Sequence, residues 1–349
     1  MVLLVSVLAE NWLQVRRSLL RGGRPPVGTQ GSHLALPSTV LQGMGGRLLL
    51  VDWDQRRVTH HLPLATPASL CWSPDNRRLF VASGRGARLH VLDSATWHAA
   101  ESITHPGFHD LHTVTRRGER LLVTAAGTDA VFELDLQGRQ TRAWWATRHG
   151  LDRTASGEHR SVDPSADHRR AAYPSLHRTV HPNGAVALDD GHWRVTSFHR
   201  GAVLDVAPDG SWTPWCEGLD HPHRLRPMPA GAVPGASWLI SDTLRGRVLA
   251  LDRSGRAVAE LATGLRWVQD ACWSPGGLMV LDDLHVAPGT RPASGNCVLQ
   301  PATGVRCGLP ASWRLVSLEV LDPEQAAACR RWPELPAEAA QRWSVDPGA

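Results

Sequence analysis

Histidine recurs at one place in this 349-residue chain, where a short strand-like stretch begins: His109 in FHDLH, His177 in LHRTV and His223 in PHRLR, with Gln269 at the matching place in VQDAC. Neutral imidazoles that converge on one point are good ligands for zinc, iron or copper, and they leave coordination positions open for substrate. On that chemistry His109, His177 and His223 hold one transition metal ion. Without a metal, one imidazole acts as nucleophile or general acid–base and the others neutralise an anionic substrate. His223 is then the reacting group, with Arg224 and His199 beside it. Arg178, Gln269, Trp145 and His149 are the expected substrate-binding side chains. His112, His181, His199 and His221 lie close enough in sequence to join, and so does His285 in LDDLHVAPG. The structural alternative is a histidine that opens a strand and bonds a neighbouring carbonyl. With 18 histidines, some coincidences of spacing are expected. The next positions read Asp110, Arg178, Arg224 and Asp270. Alternation sends them to the opposite side of a strand, where Asp and Arg can pair.

For these side chains to converge, equivalent strands must repeat around a common centre. Four stretches share one fifteen-residue register without a gap: 79–93, 121–135, 193–207 and 238–252. Each is an apolar strand, a Gly-bearing turn and a second alternating strand that usually closes on Asp. Asp52 to Asp93 is 41 residues, Asp93 to Asp135 is 42, and Ala207 to Asp252 is 45. Repeats of this length built from four short strands are propeller blades. The predicted inner strands are 68–72, 109–114, 176–180, 223–226 and 268–273. The first repeat takes 47–52 and 57–62 as its third and fourth strands. The stretch 313–321 is left to join 2–8, so that the chain ends close the ring and remove an exposed edge. The expectation is an all-β chain, a single β-propeller of six four-stranded blades over 1–322. Five or seven blades remain alternatives, because the first and last repeats are degenerate. A short helical and irregular tail follows at 323–349.

The interval from Asp135 to Ala207 is 72 residues, longer than a blade needs. The surplus at 144–174 is rich in Arg, Asp and His and reads as a lid or a surface excursion. It runs directly into His177. Trp144, Trp145 and Trp267 are the tryptophans expected nearest a ligand. Asp52, Asp242 and Asp282 read as turn and blade-linking carboxylates.

Net charge is +4 with a pI near 9.0, and all 37 basic residues are arginine, spread along the chain. A nucleic-acid groove needs a concentrated basic stripe, so nucleic acid is not an expected partner. The first residues lack a basic segment and a small-residue cleavage site, and no run reaches membrane-spanning length. A cytoplasmic protein with no membrane partner is the expectation. Six cysteines show no zinc spacing; Cys297 and Cys307 flank a predicted hairpin. No nucleotide or flavin signature is present.

WLISDTLRGRVLALD resembles the NHL-type repeat, which implies a propeller. Over 109–252, HDLH with the later ELDLQGRQTRAWW, LHRTVHPNG with the turn TSFHR, and HPHRLRP before WLISD are similar to stretches of arylsulfotransferase-like propellers. That resemblance implies anion binding by His109 and His177 and a transient nucleophile at His223. Thr179 and Phe198 stand where the family pattern has Asn and Arg. The leading expectation is an enzyme acting on a small molecule, with a metal held by His109, His177 and His223. Metal-free group transfer through His223 is the runner-up. The third reading is a non-catalytic propeller that binds a protein through its face and the 144–174 segment.

Overall fold

The computed structural model describes residues 1–11, 44–84, 86–171, 173, 177–283, 296–336 and 345–346. They form six antiparallel sheets, the blades of a six-bladed β-propeller. The fifteen-residue register supplies the second and third strands of four blades. Arg78–Ser83 pairs with Arg88–Asp93, Arg120–Ala125 with Ala130–Asp135, Trp193–Ser197 with Ala202–Val206, and Trp238–Asp242 with Arg247–Leu251. These middle strands are apolar on both faces because each blade is covered on both sides, so they read as continuous hydrophobic runs. Arg120–Ala125 is buried at every position after its first. Outer strands such as Ala257–Ala262 are largely exposed or half-buried and accept charge.

The first blade is composite. Arg314–Val320 is its innermost strand and pairs with Val2–Ala9, which pairs in turn with Arg47–Asp52 and then Arg57–Pro63. Closure by the two chain ends therefore follows the sequence expectation. The sixth blade gains a fifth strand, Val345–Asp346, along Val305–Gly308. A helix, Pro323–Cys329, lies between, capped by Asp322 and Gln325 in a reciprocal box.

The blades fall into two compact units. One holds the second, third and fourth blades and extends to Leu225; the other holds the first and sixth blades and the chain from Arg226. In the former, Leu122, Val131, Trp144, Val180, Trp193, Val195 and Leu204 form a core between the third and fourth blades. In the latter, Leu3, Val5, Leu49, Met279, Leu281 and Leu318 join the first and sixth blades.

Three strand starts differ from expectation. The third blade's inner strand is Leu111–Arg117, so His109 precedes it. The fourth blade's inner strand is Pro182–Ala187, not 176–180, which leaves His177 outside any strand. The sixth begins at Asp270. Trp144 and Trp145 close the third blade's outer strand, Gln140–Trp145, and are buried in it rather than offered to a ligand. Cys297 and Cys307 are free thiols. Cys297 pairs with Gly308 in register, so the two cysteines lie on opposite faces of their hairpin and in different apolar clusters. Asp52 and Asp242 bond turn groups, as read from sequence. Asp282 is fully buried, neither carboxyl oxygen has a hydrogen-bond partner among the described residues, and burial pushes its pKa up to about 7.

Candidate active site: an imidazole cluster in the third to fifth blades

A left-handed residue precedes each of four inner strands: Thr66 (φ 47°), Asp110 (φ 50°), His181 (φ 51°) and His221 (φ 52°). Thr66, His181 and His221 stand before Pro67, Pro182 and Pro222, where proline sterically disfavours that conformation. Each such residue costs roughly 1–3 kcal/mol, and such strain concentrates at functional sites. Backbone bonds lock the turns: Phe198 and His199 donate to the carbonyls of His181 and Val180, each at 3.3 Å. Pairing of Leu111 with Ala125, and of Pro182 with Ser197, fixes which residues are equivalent. Counted from the left-handed residues Asp110, His181 and His221, the equivalents of His223 are His112 and Asn183, not His109 and His177. Both the third and fourth inner strands carry a one-residue bulge there, a device that re-aims side chains.

The imidazoles gather around Phe198. Its ring centroid lies 4.9 Å from His181, 5.2 Å from His199, 4.5 Å from His221 and 5.3 Å from His223. His181 also touches His199 at 5.1 Å and His112 at 4.9 Å. The His112 and His181 Nε2 atoms are 3.4 Å apart. Arg178 donates to the Asp110 carboxylate at 2.7 Å, and its NH1 lies 3.4 Å from His181 Nε2. Asp110 is also 3.8 Å from His112 Nε2. The expected Asp–Arg pairing between blades is thus made by Asp110 and Arg178. Burial holds the His181 pKa well below the ordinary imidazole value, helped by Arg178, His112 and His199, so this ring is neutral at pH 7.

Asp129 explains why the chain enters the fourth blade where it does. Its buried carboxylate, on a left-handed residue, accepts backbone N–H bonds from Thr179 (2.9 Å), Val180 (3.1 Å) and His181 (2.6 Å). Arg160, from the long insertion, closes on the same carboxylate and on the Gly127 carbonyl. The insertion is therefore fastened to the turn that carries His181. His168 fastens it further: Nε2 donates to the Asp163 carbonyl at 2.7 Å, which leaves Nδ1 to accept from the Tyr173 hydroxyl at 2.6 Å.

The remaining expected residues have other settings. His109 donates through Nε2 to the Ala171 carbonyl at 2.7 Å and packs edge-on to Tyr173, 5.0 Å between centroids. Its ring fills the space beside Gly127, where any side chain would collide. His177 is exposed. His149 stacks on Trp144 against Gly210. Arg178 is committed to Asp110 and the Tyr173 carbonyl. Arg224 is buried, its backbone against Gly184. Gln269 belongs to the other unit and accepts from Trp267 Nε1 at 3.0 Å. His285 lies outside the described residues. Among the described residues no group of three His, Cys, Asp or Glu side chains is placed to hold a metal ion. No described helix is long and apolar enough to cross a membrane.

No protein-family model and no curated protein matches the sequence. Solved structures do match. A nidogen–laminin complex structure covers 91% of this chain and 97% of its own at 12% identity, with a TM-score of 0.54. A Bacteroides caccae protein of unknown function covers 73% and 86% at 13% identity, TM-score 0.51. A streptogramin B lyase covers 74% and 70% at 12% identity, with a TM-score of only 0.45. The likeness is one of fold.

Proposed function

We propose that this chain is an enzyme acting on a small polar molecule at the imidazole cluster, by proton transfer through the His112–His181 pair. The observation that carries the reading is the convergence of His112, His181, His199, His221 and His223 on Phe198 and on one another. His112 is the reachable ring, its side chain 22% exposed. His181 is its neutral, buried partner, and Asp110, pinned by Arg178, faces the pair. His112 is therefore the ring placed to take up a proton and return it, with the neutral His181 as its partner.

Ring-proton NMR across pH tests the pair. His181 is expected to stay neutral far below pH 6.5, and the His112 titration is expected to move when His181 is replaced by Asn. A panel of small esters, lactones and amides should give turnover that falls at least about a hundredfold in H112A, with thermal stability kept. If the two rings titrate independently and H112A retains full turnover, the reading fails.

One observation favours a metal-dependent version. The 3.4 Å between the two Nε2 atoms is about the separation of two nitrogens bound at about 2.0–2.1 Å to one tetrahedral zinc. The ligand set would then begin with His112 and His181 rather than His109 and His177. Zinc or iron titration, followed by metal content in the parent and in H181A, separates the two versions. Group transfer through His223 has less support, because that residue is 6% exposed and packs on Phe198.

A further inference from the structure

We infer that Asn183 orients the substrate of this site, and that the substrate presents a neutral amide-like edge, one donor beside one acceptor. This rests on the imidazole cluster being the site. Asn183 holds the register position of His112 and His223 and is the residue displaced by the bulge between Pro182 and Gly184. It is 3% exposed, yet neither its amide nitrogen nor its oxygen has a hydrogen-bond partner among the described residues. Thr196 Oγ1, across the strand pair from Gly184, and Thr179 Oγ1, in the turn bonded by Asp129, are buried and unbonded in the same way. Folded proteins satisfy buried polar groups almost without exception, so a carboxamide with neither end paired marks a place completed by a bound molecule. Access runs through the partly exposed side of the cluster, at His112 and His199.

The class of molecule follows from the donors and the acceptor of the carboxamide. The buried guanidiniums of Arg160 and Arg178 are each matched by a carboxylate, Asp129 and Asp110. Those two arginines therefore leave no surplus charge for an anion. A carboxamide offers donors and an acceptor side by side. Its bidentate complement is a cis-amide: a lactam, an imide or a ureido edge. A carboxylate meets only the donors, and an ammonium only the acceptor.

The test uses the full chain labelled with nitrogen-15 in asparagine, and three probes: 2-pyrrolidinone, acetate and methylammonium. The Asn183 side-chain NH2 resonance should shift saturably with 2-pyrrolidinone, at an affinity at least about tenfold above the other two. N183L should lose at least about tenfold in that affinity with unchanged thermal stability. Should N183L fail to fold, the Asn183 resonance in the parent decides alone. If His112 and His199 respond to the lactam while the Asn183 amide stays still, the role of Asn183 is overturned and the site stands. If acetate or methylammonium binds more tightly than the lactam, the substrate class is overturned. If none of the probes moves any of these residues, the inference and the site reading both fail.

Discussion

Arg226, Asp270 and Glu319 form a buried polar cluster in one unit of the molecule, and the imidazoles around Phe198 form another in the other unit. In the first, one guanidinium bonds both carboxylates. Arg226 donates to Asp270 at 2.7 Å, to Glu319 at 2.8 Å and to the Leu318 carbonyl at 2.6 Å. Asp270 in turn accepts from the Leu318 amide at 2.9 Å. Burial works against the guanidinium charge, but the two carboxylates outweigh it and hold Arg226 protonated. In the second cluster, burial removes charge instead: His181 is neutral, its neighbours are imidazoles, and an unpaired carboxamide stands in the same register. A saturated ionic cluster ties strands together and has no valence left for a ligand. The imidazole cluster keeps protonation states that a partner can change.

Breaking each cluster should separate these roles. The largest effect is expected for Arg226→Met, which leaves Asp270 buried without its cation. Stability measured by denaturant unfolding should drop by about 3–5 kcal/mol, with His112 and His181 titrating as in the parent. Asp129→Asn should cost less, about 1.5–3 kcal/mol, through weakened bonds to three backbone amides and to Arg160. Unlike the first variant, it should also raise proteolytic cleavage within 150–170 and shift the His181 titration.

The smallest effect is in pH. The folded pKa of His181 lies below its unfolded value near 6.5. Its contribution is therefore complete above pH 6.5 and is lost as pH falls toward the folded pKa, by at most about 2 kcal/mol at pH 5. H181N should flatten that acid limb in unfolding curves collected from pH 7.5 to 5. An unchanged limb means that His181 is not held neutral, and the contrast between the two clusters collapses.

The blades were legible because the fifteen-residue register records a pairing geometry: strand, turn and strand of fixed length repeat wherever the same hairpin is built. Composite closure was legible too, since 313–321 was strand-like and had no other partner. The site was legible only in part. Matching single histidines aligned His109, His177 and His223, whereas the chain is in register on the turn before the strand. The sequence signal for that turn is His181-Pro182-Asn183 against His221-Pro222-His223, with Thr66-Pro67-Ala68 as its plain relative. Phe198, which lies where the arylsulfotransferase-like pattern has an arginine, proved to be the hub of the cluster. Asp129 and Arg160 carried no local sign of their roles: their partners lie 31 to 52 residues from Asp129 along the chain.

Composite closure also sets an order in time. Val2–Ala9 leaves the ribosome long before its inner neighbour, Arg314–Val320. Until then one edge of an almost wholly buried, apolar strand stays unpaired, an open template for a neighbouring nascent chain. The first blade is thus where synthesis, rather than the finished fold, is most exposed to error. Slowing translation ahead of Arg314–Val320 should lower soluble yield before it changes the stability of the molecules that do fold.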